Sequence, residues 1–226
     1  MRLLAIDTAL SACAAAVFDS EQRKVLASES LKMARGHAEA LMPLIARVMD
    51  QADIDFADLD RVAVTLGPGS FTGLRVGISA ARGIALAAGK PTVGIPTLSA
   101  YAAPHIANEE GAAIVAAIDA RHDRVYLQVF ACSGRTLVAP TVSSIADAVR
   151  AAPSPVRVVG SGAALIAAAW PEGEAPPLAV DAQDAPSIVW VARLGAAAPK
   201  TDVAPTPLYL RSPDARPQDA ARLPRQ

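Results

Sequence analysis

The chain has 226 residues, 52% of them hydrophobic, and 21 Lys and Arg against 22 Asp and Glu give a formal net charge of -1. This length and composition support one large domain or two small ones, each with a buried core, and exclude a largely disordered chain. Near-cancelling charge removes the field that would draw nucleic acid or an anionic membrane, so autonomous tRNA or DNA binding is not expected.

The opening segment carries one Arg and meets Asp7 after a few apolar residues. It therefore reads as neither a signal peptide nor a membrane span, and the expected compartment is the cytoplasm. Three strands are predicted, the first ending at Asp7, the second from Cys13 to Phe18 and the third around Val25, Leu26 and Ala27, joined by short polar turns. Residues 36–51 place Leu41, Leu44, Ile45, Val48 and Met49 at helical spacing and turn Glu39, Arg47 and Asp50 the other way, which predicts an amphipathic helix. A fourth strand, Arg61 to Leu66, runs into Gly67-Pro68-Gly69.

The helix predicted over residues 70–88 has a face of small residues, Gly73, Gly77, Ala80, Ala81 and Ala88 with Ile84, opposite Arg75, Ser79 and Arg82. Each glycine costs a helix about 1 kcal/mol relative to alanine, so another backbone is expected to approach closely. No acidic residue occurs from Arg61 to Asn108, which makes the stretch locally basic. Cys13 and Cys132 each sit in an apolar run and predict buried thiols rather than a disulfide framework. From Pro199 onward Pro205, Pro207, Pro213, Pro217 and Pro224 punctuate a polar segment that reads as an extended arm and a frayed tail.

The chain also echoes itself. Ile6, Asp7, Val17 and Phe18 recur as Ile118, Asp119, Val129 and Phe130, each 112 positions further on, and Val25 to Ala27 falls on Leu137 to Ala139 at the same offset. Val156 to Val159 then runs into Gly160-Ser161-Gly162 at an offset of only 93, so the second copy has lost part of a connecting helix. A twofold β-β-β-α-β-α order resembles the actin-like (ASKHA, RNase H-like) α/β fold, in which two related domains face a cleft. The expected boundaries are residues 1–110 and 111–200 for the two domains and 201–226 for the arm and tail.

Particular residues narrow the resemblance. Leu4 to Ala9, Arg35-Gly36-His37-Ala38-Glu39 ahead of a Leu-x-Pro turn at Pro43, and above all the run from Gly67 to Gly77 resemble the TsaB (YeaZ) family. Ala117-Ile118-Asp119-Ala120-Arg121 and Tyr209-Leu210-Arg211 fit it as well, and the likeness is strong over about residues 1–130. The resemblance implies a non-catalytic subunit of bacterial tRNA threonylcarbamoyladenosine synthesis. It would pair with TsaD, which transfers the threonylcarbamoyl group to the adenosine next to the anticodon, and recruit the small ATPase TsaE. It further implies no cofactor on this chain alone, ATP or ADP and metal on the partners, tRNA contact only through the complex, and a homodimer when alone. The partner interface is expected at Leu41, Ile45, Val48, Gly73, Leu74, Gly77, Ile78 and Ala81.

The other motifs read as structural. Gly67, Gly69 and Gly73 are spaced one residue too long for the dinucleotide fingerprint, and Gly83 to Lys90 misses the P-loop spacing. Ser70 stands where a helix cap is the ordinary explanation. Asp7, with Thr8, and Asp119 would face each other across the cleft, but neither aspartate is followed by the glycine that lets phosphate reach the backbone. They read as vestigial and hydrogen-bonded within their own turns. His37, His105 and His122 form no metal-ligand spacing, and no G-x-S-x-G occurs. The competing functions, an actin-like small-molecule kinase or ATPase and a glycoprotease-like peptidase, rank below the partner subunit.

Overall fold

The computed structural model describes residues 1–107 and 111–211. The first half runs β1 (Arg2–Asp7), β2 (Ala12–Asp19), β3 (Lys24–Lys32), α1 (His37–Ala52), β4 (Arg61–Gly67), α2 (Phe71–Ala88), β5 (Thr92–Pro96) and α3 (Thr97–Ala107). The second runs β6 (Ala113–Asp119), β7 (Arg124–Phe130), β8 (Thr136–Ser144), α4 (Ile145–Arg150), β9 (Val156–Val159), α5 (Ala163–Ala168), β10 (Ala179–Asp181) and α6 (Ile188–Ala197). Their sheets have orders β3-β2-β1-β4-β5 and β8-β7-β6-β9-β10, so the echo in the sequence is an echo in topology. Each unit ends in a strand and a helix beyond the expected β-β-β-α-β-α order, and α4 has 6 residues where α1 has 16.

Alternation along the strands sorts side chains onto two buried faces, the pattern of a sheet covered on both sides. Leu4 and Ile6 of β1, with Cys13, Ala15 and Val17 of β2, join the core under α1 and α2. Leu3, Ala5, Ala14, Ala16 and Phe18 face the other way, against Ile188, Val191 and Ala192 of α6. Burying such a valine stabilises the fold by roughly 1.5–3 kcal/mol. The helices are exchanged between the halves: α6 lies on the first sheet, while Leu98, Tyr101 and Ala102 of α3 pack on Ile114, Ala116 and Ile118 of the second.

Arg61 binds this exchange. It is 4% exposed, and its Nη1 donates to the carbonyl oxygens of Gly195 at 2.8 Å and Ala198 at 2.7 Å, at the end of α6. A cation at a helix C-terminus meets the negative end of the dipole, so Arg61 is a structural charge and not part of a basic surface.

Two local expectations are corrected. Pro43 lies inside α1 and not in a turn, the helix forgoing one N–H bond to hold it. Cys13 is buried, but Cys132 is exposed in the turn where the Ala131 amide bonds the Arg135 carbonyl. Beyond α6 the chain returns to the first half, the Leu208 amide donating to the Leu66 carbonyl at 2.8 Å. Residues 212–226 of the expected tail, with Pro213, Pro217 and Pro224, lie outside the described residues.

Candidate cleft and the turns that flank it

A cleft of about 600 Å³ lies between the halves. Leu10, Ser11, His37 and Gly69 to Phe71 line it on one side, Asp119 to Arg121, Tyr126 and Ser161 on the other, and Leu208 to Arg211 of the returning arm complete the wall.

On the first side the β1–β2 turn is sealed by α2. Asp7 is 0% exposed; its Oδ1 accepts from the Thr65 hydroxyl at 2.6 Å and the Ala9 amide at 3.0 Å, while Oδ2 has no partner. Burial pushes its pKa above the ordinary carboxylate value, with the Thr65 bond pulling the other way. Burial, helped by the charge of Asp7, pushes the Cys13 thiol up to about 11, so this cysteine is not a nucleophile. The Thr8 hydroxyl donates to the Gly73 carbonyl at 2.7 Å.

The N-terminus of α2 is occupied by its own chain. The Ser70 amide donates to the Ala9 carbonyl at 2.7 Å, and the Gly73 amide to the Ser70 hydroxyl at 3.3 Å. Ser70 is the cap the sequence suggested. A Cβ on Gly69 or Gly73 would overlap the carbonyl oxygens of Ala9 and Thr8, and one on Gly77 the Thr8 hydroxyl. In a phosphate-binding loop those amides point at an anion; here the Ala9 carbonyl and the Ser70 hydroxyl stand in front of them.

The second side is open. The Asp119 side chain is exposed, its Oδ1 accepting from the Arg121 amide at 2.7 Å, and its own amide donates to the Ser161 hydroxyl at 3.2 Å. Arg121, His122 and Asp123 all adopt left-handed backbone, with φ of 62°, 53° and 55°. That conformation costs a non-glycine residue about 1–2 kcal/mol.

Asp7 and Asp119 therefore both bond within their turns, but they do not face each other. Asp119 lines the cleft; Asp7 and Thr8 lie beneath its first wall. His37 starts α1 with its Nε2 3.0 Å from the Leu10 carbonyl, tying the helix to the turn. His105 lies 3.5 Å from Asp181, and His122 is in the left-handed turn. Among the described residues no group of three or more His, Cys, Asp or Glu side chains could hold a metal ion.

The expected interface residues are placed in the chain's own interior. Leu41, Ile45, Val48, Gly73, Leu74, Gly77, Ile78 and Ala81 are all buried in the single chain. The backbone that Gly73 and Gly77 admit is the Thr8–Ala9 turn of the same chain, 65 residues upstream of Gly73. What α1 and α2 leave in solvent is another set, with Met42 at 49% and Leu86 at 85% exposure. The cleft-lining arm and the pair Phe71 and Tyr209 were not anticipated as a site; the Tyr209-Leu210-Arg211 run was the signal, but nothing local in the sequence shows that it folds back.

A family model described as TsaD, tRNA N6-adenosine threonylcarbamoyltransferase, matches residues 24–183. The TsaB protein of Escherichia coli, "tRNA threonylcarbamoyladenosine biosynthesis protein", is 37% identical over 126 residues, 56% of this chain and 53% of that protein. The solved structure of YeaZ from Pseudomonas aeruginosa superposes with a TM-score of 0.74 at 26% identity, covering 92% of this chain and 99% of that one. The chain belongs to the TsaB (YeaZ) family. Its fold is the duplicated actin-like one of that family. An uncharacterised protein of Mycobacterium tuberculosis is also similar along its length, 35% identical over 218 residues, 95% of this chain and 94% of its own. No helix among the described residues is long and apolar enough to cross a membrane.

Proposed function

We propose that this TsaB-family chain serves tRNA threonylcarbamoyladenosine biosynthesis as a non-catalytic subunit that pairs with TsaD and through that pair recruits TsaE. The observation that carries the reading is the plugged helix terminus: the Ser70 and Gly73 amides are taken by the Ala9 carbonyl and the Ser70 hydroxyl. An anion-binding helix terminus needs those amides free, and neither aspartate turn carries the glycine that lets phosphate reach the backbone, so this reading assigns catalysis, nucleotide and metal to the partners.

Pairing requires a surface, and the exposed residues of α1 and α2 supply one, with Met42 and Leu86 as its apolar members and Ser79 and Arg82 beside Leu86 along α2. The test is co-purification of untagged TsaD with the tagged chain, alongside measurement of threonylcarbamoyl-modified adenosine in tRNA from cells lacking it. Leu86→Asp should leave the melting temperature unchanged and abolish both pairing and modification. Normal modification in cells lacking the chain would overturn the reading.

A further inference from the structure

Among the described residues, the two most exposed large hydrophobic side chains are Leu86, at 85%, and Val203, at 74%. They stand 117 positions apart, on α2 and on the arm beyond α6, yet they line one groove of about 510 Å³. Apolar residues scattered singly over a surface are ordinary. Two gathered into one groove from distant parts of the chain are not scattered.

The groove forms because the arm runs antiparallel to α2. Thr201 to Ala204 share it with Arg82, Gly83 and Leu86 near the C-terminal end of the helix, while Tyr209 stacks on Phe71 at its first residue, with ring centroids 5.0 Å apart. From Val203 to Tyr209 an extended chain reaches about 21 Å, which matches the rise of about 22 Å along the helix from Phe71 to Leu86. Between those ends Pro205 is buried and the Leu208 amide donates to the Leu66 carbonyl at 2.8 Å. The Arg75 Nε donates to the Tyr209 hydroxyl at 3.1 Å. The arm is thus anchored along the helix while it holds Val203 in solvent beside the stripe of Leu86.

Charge narrows what can cover it. Arg82 and Lys90 line the groove from the helix side and Asp202 from the arm, two cations against one carboxylate. A nucleic-acid backbone would answer the cations but cover neither aliphatic side chain. A second copy of this chain would meet its own cations, since a two-fold contact sets a patch against itself. The match is a protein face whose apolar side chains are flanked by carboxylates. We propose that the groove between α2 and the arm docks TsaD, so that Val203 joins Leu86 in the pairing face. The proposal rests on the reading of the chain as the partner of TsaD and extends that face from the helices onto the arm.

The test combines the affinity of the full-length chain for TsaD with hydrogen exchange in the free chain and in the pair. Val203→Asp should weaken binding about tenfold or more with an unchanged melting midpoint. Leu178→Asp, at a position 60% exposed in the second half, should leave binding unchanged. Lys90→Glu should weaken it, and more so at low salt. The amides of residues 201–204 should exchange more slowly in the pair than in the free chain. Parent-strength binding by Val203→Asp, equal weakening by Leu178→Asp, or unchanged exchange at residues 201–204 would overturn the groove. So would a Val203→Asp chain that loses only self-association, or only binding of a single-stranded RNA oligomer, while TsaD binding holds. Loss of binding in Leu86→Asp with full binding in Val203→Asp removes the arm from the face and keeps the pairing, whereas a parent chain that does not bind TsaD removes both.

Discussion

The turn after Asp7 and the turn after Asp119 start from the same backbone device and end in opposite surroundings. In each, the first strand of a sheet ends at an aspartate whose Oδ1 accepts from the amide two residues on, Ala9 at 3.0 Å and Arg121 at 2.7 Å. The first turn is covered by α2, which has 18 residues; the helix that follows the corresponding strand in the second half, α5, has 6. Under the long helix the carboxyl is fully buried with one oxygen unpartnered, and beside the short one it stays in solvent. Equivalent residues thus acquire different chemistry from the length of the element that lands on them.

The strongest way to break this difference is to lift α2 off its turn. Gly77→Leu would drive a side chain into the Thr8 hydroxyl, and overpacking against a backbone turn should destabilise by about 3 kcal/mol or more. Thermal unfolding should show a loss on the order of 6–12 °C for a chain of this size, and an unchanged midpoint would mean that the glycine faces a partner after all. Next in size is Thr65→Val, which removes the hydroxyl bonded to Asp7 and should cost about 1–3 kcal/mol by leaving a buried acceptor unsatisfied. Urea denaturation measures it, and a loss below about 0.5 kcal/mol would contradict the burial of Asp7.

Removing the charge from each aspartate sharpens the comparison. Burial raises the Asp7 pKa above its unfolded value, so its contribution to stability is fully present below about pH 4 and is lost as pH rises through the folded pKa. Asp7→Asn keeps the Oδ1 acceptor, should be more stable than the parent at neutral pH, and should flatten the pH dependence of the melting midpoint above the unfolded carboxylate range of about pH 4. Asp119→Asn should change stability by less than about 0.5 kcal/mol at neutral pH; equal effects of the two substitutions would show that the turns are equivalent. A small effect of opposite sign is expected at the open turn: His122→Gly relieves a left-handed residue and should stabilise by about 0.5–1 kcal/mol, measurable as a small rise in the denaturation midpoint.

Much of this frame was readable from spacing. Strand alternation, the 112-residue echo and the capping Ser70 are local patterns, and each has its counterpart in β1 to β3, β6 to β8 and α2. The face of Gly73 and Gly77 was legible as a close approach, but the approaching partner was not, because Thr8 is distant in sequence and leaves no periodic signature. Burial of Leu41, Ile45 and Val48 was likewise visible as an apolar stripe, which cannot say whether its cover comes from the same chain. The exposed position of Cys132 escaped because a single turn breaks the apolar run around it. Arg61 misled for the opposite reason: a charge reads as surface until a helix end is brought to it.

The exchange of α3 and α6 also sets an order in time. During synthesis the first sheet emerges early, but Arg61 must wait 134 residues for Gly195 before its charge is met and the face of Leu3, Ala5 and Phe18 is covered. At about 5–20 residues per second the delay is on the order of 10 s. For that interval the nascent first half offers an uncovered apolar face to the cell, and chaperone demand should be greatest for ribosome-stalled chains that end before Ile188.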